Sequence, residues 1–164
     1  MNRSQTLHER LIPLLVEGTG AQRYLEIGTF ENATISKVVC PMRIGVDPAV
    51  VELEGCVMFK MTCAEFLLEN AAKLAPYDFI FLDADHSANA VRSDFIGLWP
   101  YVAPDGMVAI HDVQPQHESD AQPGYCGDSW KVAMSIVGGF EACVINYHPG
   151  TLLVRKRSRW GPLP

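Results

Sequence analysis

Tyr77-Asp78-Phe79-Ile80-Phe81-Leu82-Asp83-Ala84-Asp85-His86 is the stretch that decides the fold. Its first six residues are mostly aromatic or aliphatic and contain no glycine or proline. They read as a strand buried on both faces, the kind found in parallel sheets covered by helices. The run then ends abruptly in two aspartates and a histidine. In an open parallel sheet, ligands bind beyond the carboxyl ends of the strands. Polar residues at that end are therefore where chemistry is expected.

The same arrangement recurs outward from this stretch. Residues 23–27 read as a strand followed by the Gly28 turn. Residues 43–46 form a second strand ending in Asp47-Pro48, 55–59 a third, and 107–110 another that ends in His111-Asp112. Helical patterns lie between them, over 34–39 (stopped before Pro41), 63–74 and 87–99. Residues 7–16 read as a short amphipathic helix ahead of Gly18 and Gly20, and Pro104-Asp105-Gly106 as a turn. A further helix is expected over 128–137. Strands over 141–146 and 151–155 are joined at His148-Pro149-Gly150. Strands alternating with helices imply right-handed crossovers and a mostly parallel sheet. The short connection between the last two makes the C-terminal pairing antiparallel. The polar loop 113–127 is long for a compact domain, and such loops are usually functional.

Composition narrows the class. The chain has 164 residues, enough for one domain, with 48% hydrophobic and 20% charged residues, as globular proteins have. Its net charge of −6 lacks the basic excess of a nucleic-acid surface. Arg155, Lys156, Arg157 and Arg159 read as a solvated tail. The longest stretch free of Asp, Glu, Lys and Arg is 142–154, short of the roughly 20 residues a membrane span needs. Residues 1–15 carry Arg3, Glu9 and Arg10 and no long apolar run, so no secretory signal is visible. Five cysteines without a Cys-x-x-Cys pair suggest reduced thiols in a cytoplasmic protein, with Cys40, Cys56 and Cys143 in the core.

The strand ends collect Glu26, Gly28, Asp47, Asp83, Asp85, His86, His111 and Asp112. The loop after the first strand, Gly28-Thr29-Phe30-Glu31-Asn32, lacks the Gly-x-Gly-x-x-Gly dinucleotide fingerprint, and Asn32 stands where a last glycine would. Asp47 follows Gly28 by 19 residues, the spacing at which a carboxylate accepts ribose hydroxyls. A nucleoside site is expected there.

At this point the motifs resemble a family. Glu26-Ile27-Gly28-Thr29-Phe30-Glu31-Asn32 and Ile44-Gly45-Val46-Asp47-Pro48 are similar to the first two motifs of class I S-adenosylmethionine-dependent methyltransferases. Phe79 to Ser87 and Pro104 to Asp112 are similar to later motifs of the small O-methyltransferase branch, which includes catechol-type, caffeoyl-coenzyme-A-type and macrolide-sugar enzymes. The resemblance covers about residues 22–155. It implies a Rossmann-like α/β sandwich with a mostly parallel seven-stranded sheet and an antiparallel C-terminal strand. The whole chain, 1–164, would then be one methyltransferase domain, with an N-terminal helix within 1–20 and a basic tail over 156–164.

The resemblance also implies roles. Glu26, Gly28, Thr29 and Phe30 would line the methionine part of S-adenosylmethionine, Asp47 the ribose, and Thr62 and Cys63 the adenine, with Asp83 beside the cofactor. Asp83, His111 and Asp112 match positions that hold a divalent cation in metal-dependent relatives. His86 matches a general base, so the catalytic pair would be His86 and Asp83. Magnesium prefers oxygen ligands and His111 offers nitrogen, so both a metal-dependent and a metal-independent mechanism stay open. So does a binding module without turnover. The expected partner is a small-molecule acceptor, with no nucleic acid or membrane. The N-terminal segment and last strands could support a homodimer.

Overall fold

A computed structural model describes residues 6–157. Seven strands form one sheet in the order β3-β2-β1-β4-β5-β7-β6. They are β1 (Arg23–Ile27), β2 (Met42–Val46), β3 (Val57–Phe59), β4 (Tyr77–Leu82), β5 (Val102–His111), β6 (Glu141–Ile145) and β7 (Thr151–Arg155). β1 pairs in parallel with both β2 and β4, β2 with β3, and β4 with β5. β7 runs antiparallel to both β5 and β6. The expected mixed sheet is therefore present, with β7 as its single reversed strand.

β4 is buried at every position but Asp78, with Phe79, Ile80 and Phe81 fully inaccessible. Its side chains divide between two cores, as a two-faced strand requires. Ile80 and Leu82 pack beneath the helices α2 (Cys63–Glu69), α3 (Ala71–Leu74), α4 (Ala88–Leu98) and α5 (Trp130–Val137). Phe79 and Phe81 pack with Tyr24, Ile12 and Val16 under the helix α1 (His8–Thr19). No helix among the described residues is long and apolar enough to cross a membrane.

Local chemistry moved several boundaries. The helix expected over 34–39 shrinks to a 3-10 turn, Ile35–Lys37. β-branched residues and the nearby Pro41 give it little support. The helix expected over 63–74 breaks at Asn70, whose φ of −129° is not helical. Residues 104–106 are part of β5 rather than a free turn: the register shifts between Tyr77 and Phe79, and Asp105 takes φ 63°. That is a bulge, which lets the strand continue past a turn-forming sequence. Cys40 and Cys56 are half-buried and Cys143 is exposed on the edge strand β6, so those three lie outside the fully buried core. All five thiols are free. In the expected basic tail, Lys156 Nζ donates to the carbonyls of Trp99 and Val102 at 2.9 and 2.8 Å. Arg159 lies outside the described residues.

Candidate active site

The strand ends β1, β2 and β4 open onto a cleft of about 1100 Å³. Gly28, Phe30, Asp47, Thr62, Cys63, Asp83 and His86 all line it. Gly28 has φ 88°, and a Cβ there would stand 2.3 Å from the Asp83 carbonyl oxygen. Only glycine lets the turn after β1 lie this close to the end of β4. Asn32, at the position of the missing glycine, takes φ 59° and anchors its amide on the Val51 carbonyl at 2.9 Å. Asparagine tolerates this left-handed conformation, so the loop keeps a glycine-like bend without the glycine.

Asp47 is fixed by backbone. One carboxylate oxygen accepts from Phe30 N–H at 2.9 Å and the other from Ala49 N–H at 2.7 Å. Each oxygen keeps a free lone pair, so the group remains able to accept hydroxyl hydrogens. Thr62 caps α2 in a reciprocal box with Glu65, which directs the start of that helix into the cleft. Cys63 is buried beside Asp94, which also lines the cleft, and burial pushes its thiol far up. Glu26 and Thr29 do not line the cleft. Glu26 is buried and accepts a 2.5 Å hydrogen bond from Tyr24 Oη. Burial raises its carboxyl to about 8. Thr29 is buried with its Oγ1 unpartnered.

At the cleft's far end, β4 and β5 bring their polar termini together. Asp83 is the hub. Its Oδ1 is 3.1 Å from His111 Nδ1 and 3.6 Å from His86 Nε2. Asp112 Oδ2 is 3.1 Å from His86 Nε2 and 3.4 Å from His111 Nδ1. Asp83, His86 and Asp112 can each offer a ligand atom within 4.8 Å of the others. Asp112 takes φ 60°, an uncommon conformation for a non-glycine residue that turns its carboxylate toward the cluster. Burial opposes ionisation of Asp83, yet His111 and His86 together hold it well below the usual carboxylate range. Hydrogen bonding to Asp83 is the main cause that lifts His86 to about 9. Burial of His111 opposes its charge, but the two carboxylates outweigh it and push the ring up to about 10.

Some of these groups had no signal in the sequence. His8, in the first turn of α1, lies with Nε2 4.0 Å from Asp83 Oδ2 and its ring edge-on to His111, centroids 4.1 Å apart. Its separation of 75 residues from Asp83 leaves nothing for a motif to detect. His86 Nδ1 contacts the Tyr125 carbonyl from the 113–127 loop. Gly127 anchors that loop: with φ 55°, a Cβ there would stand 2.4 Å from the His86 carbonyl oxygen. Ala90, Ser93 and Asp94 of α4 also line the cleft. Their i, i+3, i+4 spacing puts them on one face of that helix, a signal the sequence carries. Asp85 turns inward on its own chain, accepting from Ser87 N–H at 2.7 Å ahead of the Ser87 cap of α4.

Known proteins are similar to this chain in part of its sequence and in its fold. Residues 47–113 match a methyltransferase domain family. Demethylmacrocin O-methyltransferase of Streptomyces fradiae is 36% identical over 63 residues, 38% of this chain and 15% of the relative. A methyltransferase of the mycinamycin biosynthetic pathway, solved with Mg and SAH, superposes with a TM-score of 0.59 at 19% identity, covering 87% of this chain and 47% of that one. An O-methyltransferase from Bacillus cereus, solved with SAH, gives 0.66 at 15% identity, covering 93% and 84%. The chain thus spans under half the length of that mycinamycin-pathway enzyme, and the curated match spans a small part of its relative. Motifs, sheet order and domain match converge on one conclusion: over the length it spans, the chain is similar to the class I S-adenosylmethionine-dependent O-methyltransferases and carries their fold.

Proposed function

We propose that the chain transfers a methyl group from S-adenosylmethionine to a hydroxyl oxygen of a small molecule, with residues 22–155 as the domain core. The observation that carries this reading is the continuity of one cleft. It runs from the Gly28 turn and Asp47, past Thr62 and Cys63, to Asp83 and His86. A nucleoside held along it would end beside a proton-handling cluster.

The residues fit the cofactor. The Gly28 cradle admits backbone approach, Asp47 retains acceptor capacity for two ribose hydroxyls, and Cys63 with Asp94 closes the adenine end. They also fit a divalent cation, because two carboxylates and the imidazoles face one another at ligand-to-ligand distances. The cation would sit with Asp83, His111 and Asp112. When bound, it would neutralise those carboxylates, polarise the acceptor hydroxyl and lower the proton affinity of His86. His86 Nε2 would then take the hydroxyl proton. The acceptor oxygen attacks the methyl carbon, and the carbon–sulfur bond pair leaves with sulfur. Most of the remaining work is orientation, since the methyl donor is already activated.

The contact of His86 Nδ1 with the Tyr125 carbonyl favours a second reading, in which that carbonyl orients His86 as the base without a metal. Excess chelator separates the two: activity that survives it supports the second. A small acceptor would enter between α1 and the 113–127 loop, and a second copy of the chain could complete that side. The free thiols support a reducing, cytoplasmic setting. Calorimetric titration tests the cofactor: S-adenosylhomocysteine should bind and NAD should not. Tighter NAD binding refutes the methyltransferase reading.

A further inference from the structure

Wherever an ion settles between Asp83 and Asp112, it meets an imidazole. His111 Nδ1 stands within 3.4 Å of an oxygen of each carboxylate. His86 Nε2 approaches the same two oxygens from the cleft side, and His8 Nε2 faces the other oxygen of Asp83. Val113, the next side chain after Asp112, is apolar and buried. His111 is the most buried of the three imidazoles. It is 6% exposed, and its Nε2 is buried without a partner, so its polar contacts all lie at Nδ1 toward the carboxylates. His86 is half-exposed, and its Nδ1 contacts the loop carbonyl of Tyr125.

Ligand atoms around an ion with bonds of about 2.1 Å lie about 3 Å apart when adjacent. The 3.1 and 3.4 Å separations at His111 fall in that range. Magnesium favours oxygen ligands and keeps several waters, whereas manganese, iron and zinc accept imidazole readily. With His111 among the ligands, we infer that the natural ion of this site is a borderline first-row cation of the manganese, iron or zinc class, not magnesium. The inference rests on the metal-dependent reading above.

The test starts from chelator-treated protein titrated with Mg2+, Mn2+ and Co2+, and from pulsed electron paramagnetic resonance of the Mn2+-loaded chain. The expected result is nitrogen coupling to Mn2+ in the unaltered protein. Co2+ and Mn2+ should bind tighter than Mg2+ by about tenfold or more, and His111→Glu should shrink that preference while removing the nitrogen coupling. Equal or tighter Mg2+ binding overturns the inference. So does Mn2+ without nitrogen coupling, or coupling and preference unchanged in His111→Glu. Thermal melting checks that the variant folds, and His111→Asn replaces it if it does not; His86→Asn should leave the nitrogen coupling in place, and its loss there assigns the coupling to His86 and overturns the inference. If none of the three ions binds while S-adenosylhomocysteine still does, the metal-dependent reading itself fails and the cofactor reading stands.

Discussion

The two ends of the cleft are built differently. The end at β1, β2 and β3 is made of backbone and short local motifs: the Gly28 turn, the Asn32 bend, Asp47 held by two N–H groups and the Thr62 cap. The last three close within 19 residues of their partners, while the Gly28 turn packs on the end of β4. The end at β4 and β5 is made of side chains from distant segments, with His8, Asp83, His86, His111 and Asp112 meeting only in the folded chain. The first design sets a rigid shape for a constant ligand. The second sets a field of charges and protons.

That contrast can be broken by substitutions on either side. The largest effect is expected at the charged end. Asp83→Asn should lower methyl transfer by more than about a hundredfold, while S-adenosylhomocysteine affinity by calorimetry changes little. A parallel loss of affinity would show that the two ends are not separable. Next comes Gly28→Ala, which forces a Cβ against the Asp83 carbonyl at positive φ. It should cost about 3 kcal/mol in urea unfolding and abolish cofactor binding. Asp47→Ala should weaken S-adenosylhomocysteine by about tenfold to a hundredfold and leave ion binding unchanged.

A pH-dependent effect separates structure from function at Glu26. Burial raises its carboxyl to about 8, against an ordinary value near 4.5. In that window the unfolded chain has released the proton and the folded chain still holds it. Stability from this group is therefore complete below about pH 4.5 and is lost as pH rises through about 8, by up to about 1.4 kcal/mol per pH unit. Glu26→Gln should flatten this decline in pH-dependent unfolding. An unchanged slope would mean that Glu26 ionises freely. The smallest effect belongs to Thr62→Ala, about 1 kcal/mol of stability from the lost cap, read as a shift in the urea midpoint.

The same contrast explains what the sequence could disclose. β4 announces itself by an apolar run interrupted only at Asp78, and β1 by its Gly28 turn. Strand-to-helix alternation then leaves few topologies. Asp47, Asp83, His86, His111 and Asp112 could be gathered in advance because strand ends share one edge of the sheet. His8 could not, because a helix packing over that edge is a tertiary event. Nor could the inward turn of Glu26 toward Tyr24 be read, since alternation fixes which face a side chain takes but not whether a cleft lies on that face. The 3-10 turn at Ile35 and the break at Asn70 show local propensity giving way to packing and chain reversal.

The central claim is that one cleft holds the nucleoside at one end and handles the acceptor's proton at the other. Calorimetric titration of S-adenosylhomocysteine into the unaltered chain, Asp47→Ala and Asp83→Asn tests it most directly. One saturable site is predicted, weakened in Asp47→Ala and retained in Asp83→Asn. Absence of saturable binding to the unaltered chain, or an affinity indifferent to Asp47, would contradict it.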